Sequence, residues 1–189
     1  MGRFTNIKTR LLASPWSEAA KFAMVLLCTH LLWKLLFSTG TFGWGLQDDE
    51  SSAVFFMPIT TRIASMVAWM LRCVGLTVVA KGYHLVLQPQ WDIIAIVWSC
   101  VGLKQTLILL MALAVARGPW RHKAWYMPLG VILLALINLF RLSATAGLVF
   151  AKCCSFPVAH EVGKYAYYAG LFLLWVGWQE LFGNHESDC

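Results

Sequence analysis

Four apolar stretches, each close to the length needed to cross a bilayer, constrain this chain more than any other feature. They are "AAKFAMVLLCTHLLWKLLFS" (19–38), "SCVGLKQTLILLMALAVA" (99–116), "AWYMPLGVILLALINLF" (124–140, continuing further) and "GKYAYYAGLFLLWVGWQEL" (163–181). About 20 helical residues cover roughly 30 Å of hydrocarbon. Lipid requires each spanning segment to satisfy its own backbone polar groups, which a helix does. Composition agrees: 59% hydrophobic and 13% charged residues over 189 positions do not describe a soluble globule. Ten tryptophans suit a protein with many residues at lipid–water boundaries. The expectation is an all-α integral membrane protein, one membrane domain over residues 1–189. Its first stretch reads as a retained anchor helix within 1–38 rather than a signal peptide. Lys34 interrupts the run and no clean small-x-small cleavage site follows.

Charge gives an orientation. Arg3, Lys8, Arg10 and Lys21 lie before or at the start of the first stretch, and "RGPWRHK" (117–123), the densest basic cluster, separates the second from the third. The positive-inside rule places both in the cytoplasm of a multi-pass cell-membrane protein. The Cys100 and Arg141 ends, and the connection "AGLVFAKCCSFPVAH", then face outside. Such loops account for the net charge of +6 without nucleic acid as a partner.

Parity decides the segment 54–76, "VFFMPITTRIASMVAWMLRCVGL". If it crossed the membrane, Cys100 would need another crossing to return outside, and "TVVAKGYHLVLQPQWDIIAIVW" offers none. Thr61, Ser65 and Arg72 share one helical face with Arg62 beside them, as in an amphipathic helix lying in the interface. A conventional fifth span is the alternative, giving four to five transmembrane helices. The β-branched and aromatic runs "TVVAKGYHLVL" and "WDIIAIVW", on either side of Gln-Pro-Gln, read as a short external β-hairpin.

Helical arithmetic then brings chemistry together. Cys100 and Arg141 are nearly equidistant from the middle of the 117–123 turn, each about 20 residues or roughly 30 Å away along a helix. His160 precedes the last helix at the same surface. A thiol at a helix N-terminus sits in the positive end of the macrodipole, a setting suited to a nucleophile. A histidine can take its proton and later protonate a leaving amine. A guanidinium can hold charge developing on a carbonyl oxygen. Gly102 would let a substrate backbone approach, Lys104 adds positive potential, and Asn138 lies one turn before Arg141 to orient it or the substrate. His30, His84, His122 and His185 have no comparable setting. The six cysteines form no C-x-x-C pair. Cys153 and Cys154, with His160, admit a metal or a disulfide but read best as loop thiols, so neither metal nor cofactor is expected.

The ordered set "SCVGLKQ", "NLFR" and "HEVG", separated by hydrophobic helices, resembles the exosortase/archaeosortase family of membrane cysteine transpeptidase-like sorting enzymes. The likeness covers about residues 54–181, in a compact form with fewer spans than the larger members. Val101 and Lys104 stand where many members carry Ser and Arg. The resemblance implies Cys100 as nucleophile, Arg141 as substrate or oxyanion stabiliser and His160 as general acid/base. It also implies a membrane-anchored protein substrate ending in a short motif, a transmembrane helix and a basic cluster, cut at the outer interface and passed to an acyl acceptor. A second class fits the residues as well: a non-catalytic membrane assembly or scaffold subunit, with Lys104 and Arg141 as interfacial anchors. A transporter fits worse, because the middles of the spans carry little charge.

Overall fold

The computed structural model describes residues 15–38 and 50–183. Arg3, Lys8, Arg10 and His185 of the sequence reading lie outside the described residues. In chain order the elements are helix α1 (Pro15–Ser38), helix α2 (Glu50–Cys73), strands β1 (Val78–Lys81), β2 (His84–Leu87) and β3 (Asp92–Ala95), and a 3-10 turn (Trp98–Cys100). Helices α3 (Leu103–Val115), α4 (Trp120–Phe150) and α5 (Phe156–Trp178) follow, closed by a π-helical turn (Gln179–Gly183). The protein is thus mostly helical with one small sheet. Two stretches among the described residues, Trp98–Val115 and Trp120–Phe150, are long and apolar enough to cross a membrane. Only about a third or less of each is buried against the rest of the protein (28% and 33%). Their apolar surface therefore faces outward, which is not how a soluble core helix behaves.

Several boundaries differ from the sequence reading. The predicted hairpin is a three-stranded antiparallel sheet in the order β1-β2-β3. The extra strand arises because Gly82, at φ +61°, lets the chain reverse between β1 and β2. The Gln88–Gln90 turn then joins β2 to β3. The run 99–116 is not one helix. It starts with the 3-10 turn, and α3 proper has 13 residues. The last helix begins at Phe156, so His160 lies inside its second turn, not ahead of it.

Two cores organise the packing. One joins Ala64, Val67, Ala68 and Leu71 of α2 with Val78, Leu85 and Leu87 of the sheet and Leu142, Ala146 and Phe150 of α4. The α2 positions recur at helical spacing, so one stripe of that helix is buried while Arg62, Ser65 and Arg72 stay exposed. Gly147 lets the two helices approach, since a Cβ there would meet the Leu71 side chain at 3.3 Å. The second core joins Ile108, Leu109 and Leu113 of α3 with Tyr126 and Leu134 of α4 and Tyr167, Leu171 and Trp178 of α5. Phe22 of α1 packs on it, 4.6 Å centroid to centroid from Trp175. At 31 residues, or about 46 Å, α4 runs through both cores. Asn138 and Arg141 fall at the seam between them.

The 117–123 turn is held from within. Trp178 Nε1 donates to the Arg117 carbonyl at 2.8 Å, and a Cβ on Gly118 would strike the Trp178 ring. Lys123, read as part of the cytoplasmic basic cluster, is 4% exposed. Its ammonium donates to the carbonyls of Ala114 (3.0 Å) and Ala116 (2.6 Å) and so caps the C-terminal end of α3, where backbone acceptors are otherwise left over.

Candidate active site

A crevice of about 20 Å³ is lined by Cys100, Arg141 and His160 together, with Ile94, Thr145 and Phe156 among its walls. Three elements supply the three groups: the 3-10 turn gives Cys100, α4 gives Arg141 and α5 gives His160. The volume has room for about one water molecule.

Cys100 is half-buried and packs at the edge of the first core. It is not the first residue of a helix, because α3 starts three residues later after Gly102. Its turn is fixed by Asn138, which is 3% exposed. The Asn138 Nδ2 donates to the Cys100 carbonyl at 2.9 Å and to the Val101 carbonyl at 3.2 Å. Two acceptors on one side set which way the amide points. Asn138 is therefore spent on the backbone of Cys100 and Val101, an assignment the sequence reading did not make. Its Oδ1 and the Arg141 Nε, one helical turn apart, are buried polar atoms without a hydrogen-bond partner.

Gly102 adopts φ +84°, a left-handed conformation that favours glycine. A Cβ there would collide with the Tyr167 hydroxyl. Conformation and packing account for this glycine without a substrate. Lys104 does not line the crevice. Its ammonium contacts His30 Nδ1 of α1 at 2.8 Å, which ties the first helix to α3 and gives His30 a role the sequence did not indicate.

Arg141 has a stacked partner: its guanidinium carbon lies 5.3 Å from the centroid of the Tyr167 ring, within cation–π range. His160 stacks on Phe156 at 5.6 Å, one turn earlier on α5. Arg141 and Thr145 also line a second, larger space of about 420 Å³ between α4 and α5, which is walled by Phe140, Leu148, Val158 and Val162. Arg141 thus stands between a small crevice holding the thiol and a broad apolar groove.

Sequence reasoning missed Tyr167. The signal was present in "HEVGKYAY": residues 160, 163 and 167 are spaced i, i+3, i+7 and share one helical face. Cys28, Cys73, Cys100, Cys153 and Cys154 are free thiols, so the vicinal pair forms no disulfide, and Cys154 borders the groove. Among the described residues no group of three His, Cys, Asp or Glu side chains is placed to hold a metal ion. Compared with protein-family models, curated proteins and solved structures, the chain matches none of them.

Proposed function

We propose that this protein is a multi-pass membrane cysteine endopeptidase or transpeptidase that acts on a membrane-anchored polypeptide at the outer membrane–water interface. The observation that carries the reading is the shared crevice of Cys100, Arg141 and His160. Three separate elements deliver a nucleophile, a proton carrier and a fixed cation to one small space, the set that acyl transfer through a thioester uses.

The membrane setting rests on the outward apolar surface. Ile132, Leu136 and Phe140 on α4, Leu27 and Leu31 on α1 and Leu173 on α5 are all large, apolar and exposed. Arg141 is about 21 residues, or roughly 31 Å, along α4 from Trp120, close to the thickness of a hydrocarbon core. With the 117–123 turn at the cytoplasmic face, the crevice reaches the opposite boundary. The sheet, through Leu85, Ile94 and Ala95, then covers it from the external side.

In the mechanism, an apolar segment of the substrate lies in the groove between α4 and α5, and its adjoining peptide bond meets the crevice across Arg141. This places the segment on the other side of α4 from its surface against α3. There, Gly130 closes the packing against Leu109. His160 takes the Cys100 proton as sulfur attacks the carbonyl carbon, and the oxygen that gains charge faces Arg141. The C–N bond breaks, His160 returns the proton to the leaving amine, and a thioester remains. An acceptor amine or water, deprotonated by His160, then attacks the thioester carbon and releases the Cys100 sulfur.

The test is co-expression with a protein bearing a C-terminal motif, hydrophobic helix and basic cluster, followed by gel mobility. Cys100→Ala should leave that substrate at full length. Undiminished processing by Cys100→Ala would remove the enzymatic reading and leave the scaffold subunit, with Arg141 serving as an interfacial anchor.

A further inference from the structure

Resting on that reading of Arg141, we infer that Tyr167 is the positioning residue for the Arg141 guanidinium, and that the His160–Gly163–Tyr167 face of α5 is the surface on which this cation is built. Tyr167 is 1% exposed. Its ring lies under the guanidinium at 5.3 Å, while its hydroxyl abuts Gly102 in the turn that follows the nucleophile. One turn earlier, Gly163 makes room for the same side chain: a Cβ there would approach the Arg141 Cγ and the Thr145 Oγ1, each at 3.1 Å. Gly163 thus receives the aliphatic stem of Arg141 and Tyr167 its charged end, while His160 on the same face reaches the crevice.

The physical need is plain. No salt bridge is formed by Arg141 among the described residues, and its Nε is buried without a hydrogen-bond acceptor. A long side chain held by no acceptor retains rotamer freedom, and pairing with an aromatic face removes part of it. Because the hydroxyl of the same tyrosine rests on Gly102, the cation and the nucleophile's turn are spaced by one rigid ring. A tyrosine that only filled the second core would not need to face a guanidinium.

The test reads the potential at Cys100 without any substrate. In the full chain carrying Cys28→Ser, Cys73→Ser, Cys153→Ser, Cys154→Ser and Cys189→Ser, Cys100 is the sole thiol. Its rates of modification by an anionic (sulfonatoethyl) and a cationic (trimethylammonioethyl) methanethiosulfonate are measured, and their ratio is taken. A correctly placed guanidinium speeds the anion and slows the cation, so Arg141→Gln should lower the ratio about tenfold. Tyr167→Leu and Gly163→Ala should lower it to a similar degree with Arg141 still present, and Tyr167→Phe should keep the ratio of the parent. A general loss of packing would move both rates together and leave the ratio unchanged. If Arg141→Gln lowers the ratio but neither Tyr167→Leu nor Gly163→Ala does, the positioning role is overturned and the proposed function stands. If Arg141→Gln itself has no effect, or neither reagent reaches Cys100, the reading of the crevice falls and this inference falls with it.

Discussion

The side-chain amide of Asn138 holds the backbone of Cys100 from inside the protein, donating to its carbonyl oxygen at 2.9 Å and to that of Val101 at 3.2 Å. These residues are 38 positions apart and belong to different elements. The bond fixes the turn that presents the thiol without contacting the thiol itself. Asn138→Ala leaves two carbonyls without this donor, which should cost about 1–3 kcal/mol. Asn138→Asp should cost more, because a carboxylate cannot donate and would face two carbonyl oxygens. Thermal unfolding in detergent checks the order parent, Ala, Asp. Equal stability of all three would show that the amide is dispensable.

How much of this was legible in the sequence depends on the range of the interaction. The long apolar period of α4 is a local signal, and it gave a helix near the right place. Cys100, Arg141 and His160 could be ranked at one level because helical rise is regular and the 117–123 turn is short. What the sequence could not give were contacts set by rotation about a helix axis. Counting residues gives height along α4 but not the direction in which Asn138 points, so its grip on Cys100 was invisible. The third strand was missed because its turn depends on Gly82 at positive φ, and a Lys-Gly-Tyr run does not announce this strongly. Lys123 was read only as one charge of the cytoplasmic cluster, because the positive-inside rule counts charges and says nothing of burial. Its burial follows from the unpaired carbonyls at the end of α3, which only the packed structure brings within reach.

Gly102 and Tyr167 should behave as a coupled pair. Gly102→Ala forces a side chain into a left-handed conformation, costing about 1 kcal/mol or more, and drives its Cβ into the Tyr167 hydroxyl. Tyr167→Phe removes that oxygen. The double variant should therefore be more stable than the sum of the single losses predicts, by roughly 0.5–2 kcal/mol. Additive losses in a denaturation cycle would show that strain at φ +84° accounts for the whole effect of the first substitution.

Lys123 and Arg121 lie two residues apart and should respond differently. The Lys123 ammonium serves two carbonyls and sits 4.8 Å from the centroid of the Trp120 ring. Lys123→Met fills much the same volume but leaves those carbonyls without their donor, for an expected loss of about 2 kcal/mol. Arg121 is exposed, and Arg121→Met should stay within about 0.5 kcal/mol of the parent. Matching losses would show that the two carbonyl contacts of Lys123 add nothing beyond an exposed charge of the same cluster.

Glu18 should decide whether α1 stays docked. It is 8% exposed, and its carboxylate pairs with Lys21 Nζ at 2.7 Å and Arg117 Nε at 3.1 Å. It also accepts from the Arg117 backbone N–H and from Gln179 Nε2, each at 3.4 Å. One side chain thus joins α1, the α3–α4 turn and the π-helical turn after α5. Lys21 and Arg117 are each about a third exposed (34% and 31%), so water screens part of the attraction and would solvate both cations if the carboxylate left. Glu18→Ala should accordingly cost about 1–2 kcal/mol, below the figure for a fully buried pair. The far contact of α1, Lys104 with His30, lies three turns along the same helix and should loosen with it. Glu18→Ala combined with His30→Ala should then expose α1 to proteolysis in detergent well before the rest of the chain. Simultaneous loss of all helices would instead make α1 an inseparable part of the second core, through Phe22 and Trp175.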